Sequence, residues 1–304
     1  MKFTIYQESR IGRRKSNQDR LAYCYSRDAL LMVVADGMGG HLHGEVAAQI
    51  AVQYITEAFQ REAKPSLPDP FLFLSRVLTN AHHAILDYAL EKELPEAPRT
   101  TCVCCVVQGS VAFWAHAGDS RLYVIRGGRV LARTRDHSRI QMMVDQGLLS
   151  EHEAAAHPSR NRVYSCLGGN HSPQIDFSRK TPLNSGDVVV ICTDGMWSPL
   201  GNGQLAKAVT GVNIMQAVPR LLDQAESLAG ANGDNLSVIA MMWEDNYGEA
   251  ALGSVQTQTM PMDSFTTQLE MFGQGRQPPG PELSDEDIEH AIEEIRSAIQ
   301  KYSK

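Results

Sequence analysis

The sequence predicts an α+β fold, in which strands bunch together and helices come in pairs instead of alternating one for one with the strands. Three observations point there. Apolar runs at 30–35, 100–107, 111–117, 121–126, 188–192 and 236–242 have the length of buried strands. Segments with apolar residues at helical spacing sit next to one another between the first two of these runs. The chain of 304 residues is 43% hydrophobic and 21% charged, enough apolar material for a sizeable core.

Taken in order, the run at 30–35 ends at Asp36, and glycines 37, 39, 40 and 44 then break regular structure. A helix follows with Val46, Ile50 and Tyr54 on one face, and a second covers 70–92 with Phe71, Leu74, Leu78, Ile85 and Tyr88 near helical spacing. Three strands come next. Gly127-Gly128 is a hairpin-type turn, and 129–133 is the return strand. Residues 138–157 read as a helical insertion: Met142, Met143, Val144, Leu148 and Leu149 suit a short helix, and Ser150 with Glu153 can cap another. A buried strand at 188–192 leads to Asp194, a helix covers 214–229, and 236–242 is the closing strand.

The body, 1–244, is electrically neutral; the net charge of −7 comes from 245–281 (−3) and 282–304 (−4). A neutral body without a Lys/Arg cluster argues against nucleic acid or an anionic membrane as partner. The first residues lack the apolar core of a signal peptide, and no apolar run nears the ~20 residues that span a bilayer. Of the six cysteines, Cys102 and Cys105 form a C-x-x-C inside a β-type run, where small buried hydrophobes are the favoured reading over a redox or zinc site. A reducing cytoplasm is expected. Residues 245–281, rich in Gly, Gln, Thr and Pro, read as a flexible linker. Residues 282–304 read as an acidic amphipathic helix with Ile288, Ile292, Ile295 and Ile299 on one stripe, a docking element for a partner or for its own domain, or a solubilising appendage.

Chemistry concentrates in four aspartates: Asp36, Asp119, Asp194 and Asp234. Three follow apolar strands, where turns can gather carboxylates into one site. Carboxylates without matching histidines or thiolates suit Mg²⁺ or Mn²⁺, and two such ions about 3.5–4 Å apart can drive in-line displacement at phosphorus. Asp36 is the candidate bridge between the two, because the glycines after it let the Gly37 carbonyl come close as a further ligand. Asp194 and Asp234 can complete one ion's shell. Upstream, Arg14 suits bidentate capture of phosphate oxygens, and Asp19 could orient a bound water.

Arg14-x-x-Asn17-Gln18-Asp19, Val34-Ala35-Asp36-Gly37-Met38-Gly39-Gly40-His41, Thr100-Thr101, Gly118-Asp119-Ser120-Arg121, Thr193-Asp194-Gly195 and Gly233-Asp234-Asn235 occur in this order. In this set the chain, over about 5–243, resembles the bacterial metal-dependent protein phosphatases, the type 2C serine/threonine phosphatases. The resemblance implies a β-sandwich of two antiparallel sheets flanked by helices on both sides, with metals at one end. It implies Asp36 bridging two core Mn²⁺ or Mg²⁺ ions, Gly37 on the second, Asp194 and Asp234 on the first, and Asp119 on a third, weaker ion. Arg14 would clamp the substrate phosphate and Asp19 would act from behind the ligands. Residues 138–170, with Asn161, Gly168 and Gly169, match a flap beside the site. Gln18 stands where many members have Glu, and Met38 where animal members carry a histidine proposed as general acid. His41 is the candidate acid, with water as the alternative. His137 belongs to a motif beside the flap, whereas His82, His83, His116, His152 and His171 read as structural, and Trp114 and Trp197 as core.

The expected activity is hydrolysis of phosphoserine and phosphothreonine in cytoplasmic proteins by a metal-activated hydroxide, with a serine/threonine kinase or its substrates as natural partners. A catalytically silent phosphoprotein-binding scaffold and a metallohydrolase of small phosphate esters are the competing readings. The first of these should have lost aspartates that are all present.

Overall fold

The structure is a computed structural model that describes residues 1–38, 43–150, 153, 154, 157, 162–245 and 266–269. Its elements are β1 (Phe3–Arg10), β2 (Asp19–Tyr25), β3 (Ala29–Asp36), α1 (Gly44–Glu62), α2 (Pro70–Glu91), β4 (Arg99–Thr100), β5 (Cys102–Gln108), β6 (Val111–Ala117), β7 (Arg121–Arg126), β8 (Arg129–Arg133), α3 (Arg139–Asp145), β9 (Leu167–Gly168), β10 (Asp176–Phe177), β11 (Thr181–Pro182), β12 (Val188–Cys192), α4 (Asp194–Ala208), α5 (Ile214–Ala229), β13 (Leu236–Trp243) and β14 (Thr266–Leu269).

Two antiparallel sheets stack face to face. One runs β1-β13-β12-β7-β8 and the other β10-β6-β5-β3-β2-β14, with β11 also on β6. Continuous apolar strands suit this arrangement because both faces of each are covered. On β3, Leu30, Met32 and Val34 point between the sheets, and Leu31, Val33 and Ala35 point outward beneath α1 and α2. On β12, Val189 and Ile191 face inward, and Val188, Val190 and Cys192 lie under α4 and α5. The period of two thus builds three apolar layers within an α/β/β/α stack. Cys102 and Cys104 face the helices while Cys105 faces the other sheet, so the C-x-x-C pair cannot meet; all six cysteines are free.

Helix starts follow local chemistry. Asp69 Oδ1 accepts from the amides of Phe71 and Leu72 ahead of Pro70, whose missing N–H costs nothing in the first turn. Asn213 caps α5 in the same way. Ser138 caps α3, and Ser150 and Glu153 form the reciprocal capping pair expected in the 138–157 insertion.

Elements beyond those the sequence predicts include β1, β2, α4 and β14. β1 and β2 were not legible as strands: β1 is half-buried along its whole length, so no clean alternation marks it. α4 carries Pro199, Gly201 and Gly203, which interrupt its helical periodicity although Met196, Leu200 and Leu205 pack into the core; it is in fact two pieces broken at Gly201, at φ 70° and ψ 157°. Within the segment read as a linker, Thr266–Leu269 pairs antiparallel with β2. The helix expected at 282–304 lies outside the described residues, as do Asn161 and His152 of the insertion.

Candidate active site

Strand ends deliver the carboxylates to one end of the stack. β3 terminates at Asp36, the β6–β7 turn carries Asp119, β12 runs through Thr193 into Asp194 at the start of α4, and β13 begins just after Asp234. All four aspartates, with Gly37 and Arg14, line a single pocket of about 500 Å³. Arg13 and Lys15 lie on its rim.

Close backbone approaches explain the glycines. A Cβ at Gly37 would meet the carbonyl oxygens of Gly44 at 2.3 Å and Gln18 at 2.7 Å, and one at Gly195 would lie 2.0 Å from the Asn235 carbonyl. Asn235 fastens the loop of residues 11–18 to the Asp234 turn. Its Oδ1 accepts from the Gln18 amide at 2.9 Å, and its Nδ2 donates to the Ile11 and Ser16 carbonyls at 2.9 and 3.0 Å. That loop places Arg14, whose Nη2 donates to Asp234 Oδ2 at 2.5 Å. Gln18 donates to Glu45 Oε2 at 2.9 Å, so a carboxylate still stands beside the position.

The Asp119 turn is mounted on a rigid frame. Gly118 adopts φ +115° against Thr101, where a Cβ would sit 2.5 Å from the Thr101 Cβ. Trp197 Nε1 donates to the Asp119 carbonyl at 3.0 Å, so this tryptophan supports the site as well as the core. Arg121 stacks over the Trp197 ring at 3.4 Å and forms a bidentate pair with Asp136, at 2.8 and 2.7 Å. Ser120 Oγ lies 2.8 Å from Thr101 Oγ1, and Thr101 in turn donates its amide to the Asp36 carbonyl at 2.9 Å.

Asp19 pairs with Asp36 across the β2–β3 ladder and lies behind the pocket lining. Burial first, then the neighbouring Asp194 and Asp234 charges, push its carboxyl up to about 7, against hydrogen bonds from Ser237 and Thr193. Thr193 Oγ1 donates to Asp19 Oδ2 at 2.9 Å, and Asp19 Oδ1 is buried without a hydrogen-bond partner among the described residues. Burial also holds Asp36 and Asp119 well above the usual carboxylate range, reinforced at Asp36 by Asp19, Asp194, Asp119 and Asp234, and at Asp119 by Asp194 and Asp136. Mutually repelling buried carboxylates on strand ends fit a divalent cation, whose charge would relieve each of these penalties.

His41 lies outside the described residues. Among the histidines read as structural, His82 accepts from the Gly168 amide at 3.0 Å. The buried His116 and His137 join the half-exposed Asp176 in a cluster whose potential ligand atoms lie within 4.8 Å of one another. Sequence reading missed that grouping, because the pairing of β10 with β6 brings Asp176 to His116 and the bonds to Gly118 bring His137 beside them.

The protein phosphatase 2C family model matches residues 6–229. The serine/threonine protein phosphatase PstP of Mycobacterium tuberculosis is 28% identical over 236 residues, 77% of this chain, and the chain spans only 44% of that relative's length. The protein phosphatase PhpP of Streptococcus pneumoniae is 27% identical over 235 residues, covering 77% of this chain and 95% of PhpP. The solved catalytic domain of PstP in complex with two manganese ions superposes at a TM-score of 0.67 with 26% identity, covering 80% of this chain and 99% of that one.

Proposed function

The chain belongs to the protein phosphatase 2C family, and from that premise we propose that it hydrolyses phosphoserine and phosphothreonine in proteins at a centre of two to three divalent ions. The observation that carries this reading is the convergence of Asp36, Asp119, Asp194, Asp234 and Arg14 on one pocket. Asp36, Asp194, Asp234 and the Gly37 carbonyl would hold the two core ions, and Asp119 a third. When bound, such ions supply Lewis-acid polarisation of phosphoryl oxygens and acidify water for attack at phosphorus. Manganese in the similar PstP domain supports Mn²⁺, with Mg²⁺ as the alternative hard cation.

This chain's own residues do the rest. Arg14, exposed at the mouth and already paired with Asp234, shares its fork of donors between that carboxylate and the incoming phosphoryl oxygens. Asp19 stiffens the layer behind the ligands through Thr193, whose hydroxyl donates to Asp19 and also accepts from the Ser237 amide at 3.0 Å. No helix among the described residues is long and apolar enough to cross a membrane. Six free cysteines, five of them buried, fit a reducing cytoplasm, where phosphoproteins made by a serine/threonine kinase are the substrates. The test is turnover of a phosphothreonine peptide with Mn²⁺, compared with a nucleotide substrate. Preference for the nucleotide would move the reading to a small-ester hydrolase.

A further inference from the structure

We propose that His137 is a positioning residue, which locks the Asp119 turn to the base of the 138–170 segment by holding the Gly118 amide on one ring nitrogen while the other lies beside the Asp176 carboxylate. This rests on the reading of Asp119 as a metal ligand.

The ring's chemistry is fixed by its partners. His137 is 1% exposed, and the Gly118 amide points at its Nδ1 at 3.2 Å. An amide N–H only donates, so Nδ1 carries the lone pair and the proton of the neutral ring sits on Nε2. That nitrogen lies 3.2 Å from Asp176 Oδ2, close enough for electrostatic attraction but not aligned as a hydrogen bond. The main chain closes the same pair from the other side, where His137 N donates to the Gly118 carbonyl at 2.9 Å. The ring is sandwiched between His116, with centroids 4.6 Å apart, and Tyr164, 5.6 Å away.

Residues 137–139 meet 162–164 here. Tyr164 N donates to the His137 carbonyl at 2.8 Å, Ser138 bridges to Val163, and Arg139 N donates to the Arg162 carbonyl at 3.2 Å. Val163 lines the pocket. The Asp119 turn has little slack of its own, because Gly118 is pressed against Thr101. One buried imidazole therefore joins the aspartate turn, the β10 edge and the strand-like pairing that carries Val163 to the pocket.

A metal site at His116, His137 and Asp176 is the obvious competing use of the same atoms. It conflicts with the hydrogen bonds. A cation on His137 Nε2 would push the proton to Nδ1, against the Gly118 N–H. His116 Nε2 is engaged with the Arg135 carbonyl at 2.8 Å, which leaves only its Nδ1 free.

The experiment measures Mn²⁺ binding to metal-free protein by electron paramagnetic resonance and calorimetry, for wild type, His137→Ala, His137→Asn and Asp176→Ala. Nitrogen NMR of the His137 side chain accompanies it. Asn places an amide oxygen where Nδ1 accepted, so it conserves the Gly118 contact. His137→Ala is expected to weaken the weakest Mn²⁺ event by about 10- to 100-fold, with the tighter events within about twofold of wild type. His137→Asn recovers affinity to within about threefold, Asp176→Ala loses about fivefold, and the NMR shows Nδ1 unprotonated. Unchanged Mn²⁺ binding in a folded His137→Ala overturns the proposal alone, as does a failure of Asn to rescue at equal thermal stability. If His137→Ala does not fold, wild-type affinity in Asp176→Ala, at a half-exposed position, overturns it. Stoichiometric Zn²⁺ binding lost in both His116→Ala and Asp176→Ala would make the cluster a metal site instead. A wild type that binds no Mn²⁺ overturns the metal reading of Asp119 itself, and the proposal with it.

Discussion

Arg14 and Asp234, 220 residues apart in sequence, meet at 2.5 Å on the rim of the pocket. Their side chains are 53% and 29% exposed, so the pair contributes little to folding. On the proposed function, Arg14 serves the substrate more than stability. Arg14→Ala is expected to lower kcat/KM for a phosphothreonine peptide by about 100-fold while shifting stability by less than about 1 kcal/mol. Arg14→Lys should recover only part of the loss, because an ammonium lacks the planar fork. Steady-state kinetics beside a denaturation curve checks both halves.

Metal-free protein should lose stability as pH rises. Asp19 is held at about 7, and Asp36 and Asp119 well above their ordinary value. Between about pH 4 and 7 the native state therefore binds more protons than the unfolded chain, and the slope of stability against pH is negative. The midpoint of thermal unfolding in EDTA is expected to fall by about 3 to 6 °C from pH 5 to 7.5. Saturating Mn²⁺ should flatten the profile, since the cation replaces the protons. A rising midpoint in EDTA would contradict the burial of these carboxylates.

Asn235→Ala removes three hydrogen bonds that fasten residues 11–18 to the Asp234 turn, leaving the Ile11 and Ser16 carbonyls and the Gln18 amide without that partner. A cost of about 2 kcal/mol is expected from the unsatisfied groups. KM should rise together with it, because the same loop carries Arg14. Asn235→Asp keeps the acceptor for Gln18 and should be milder in chemical denaturation.

Much of the fold and the site is legible in the amino-acid sequence. The apolar runs ending at Asp36, leading to Asp194 and following Asp234 are strands because both their faces are covered, and continuous hydrophobicity marks such strands. α2 declared itself through Asp69, Pro70 and its spacing. What stayed hidden was long-range or locally contradictory. β1 lacks alternation, and α4 contains the residues that normally end helices. Trp197 reads as core in sequence, yet its indole N–H reaches the Asp119 carbonyl. The pairing of His137 with Gly118 and Asp176 depends on how β6 and β10 lie side by side, which no local pattern encodes.

The most direct test of the central claim is hydrolysis of a phosphothreonine peptide by the purified protein, with Mn²⁺ or with EDTA, alongside Asp36→Asn. The account predicts turnover that requires Mn²⁺ and falls by at least about 10³-fold in the folded variant, because Asp36 stands where the other carboxylates converge. Turnover that survives EDTA, or an Asp36→Asn protein as active as wild type, would contradict it.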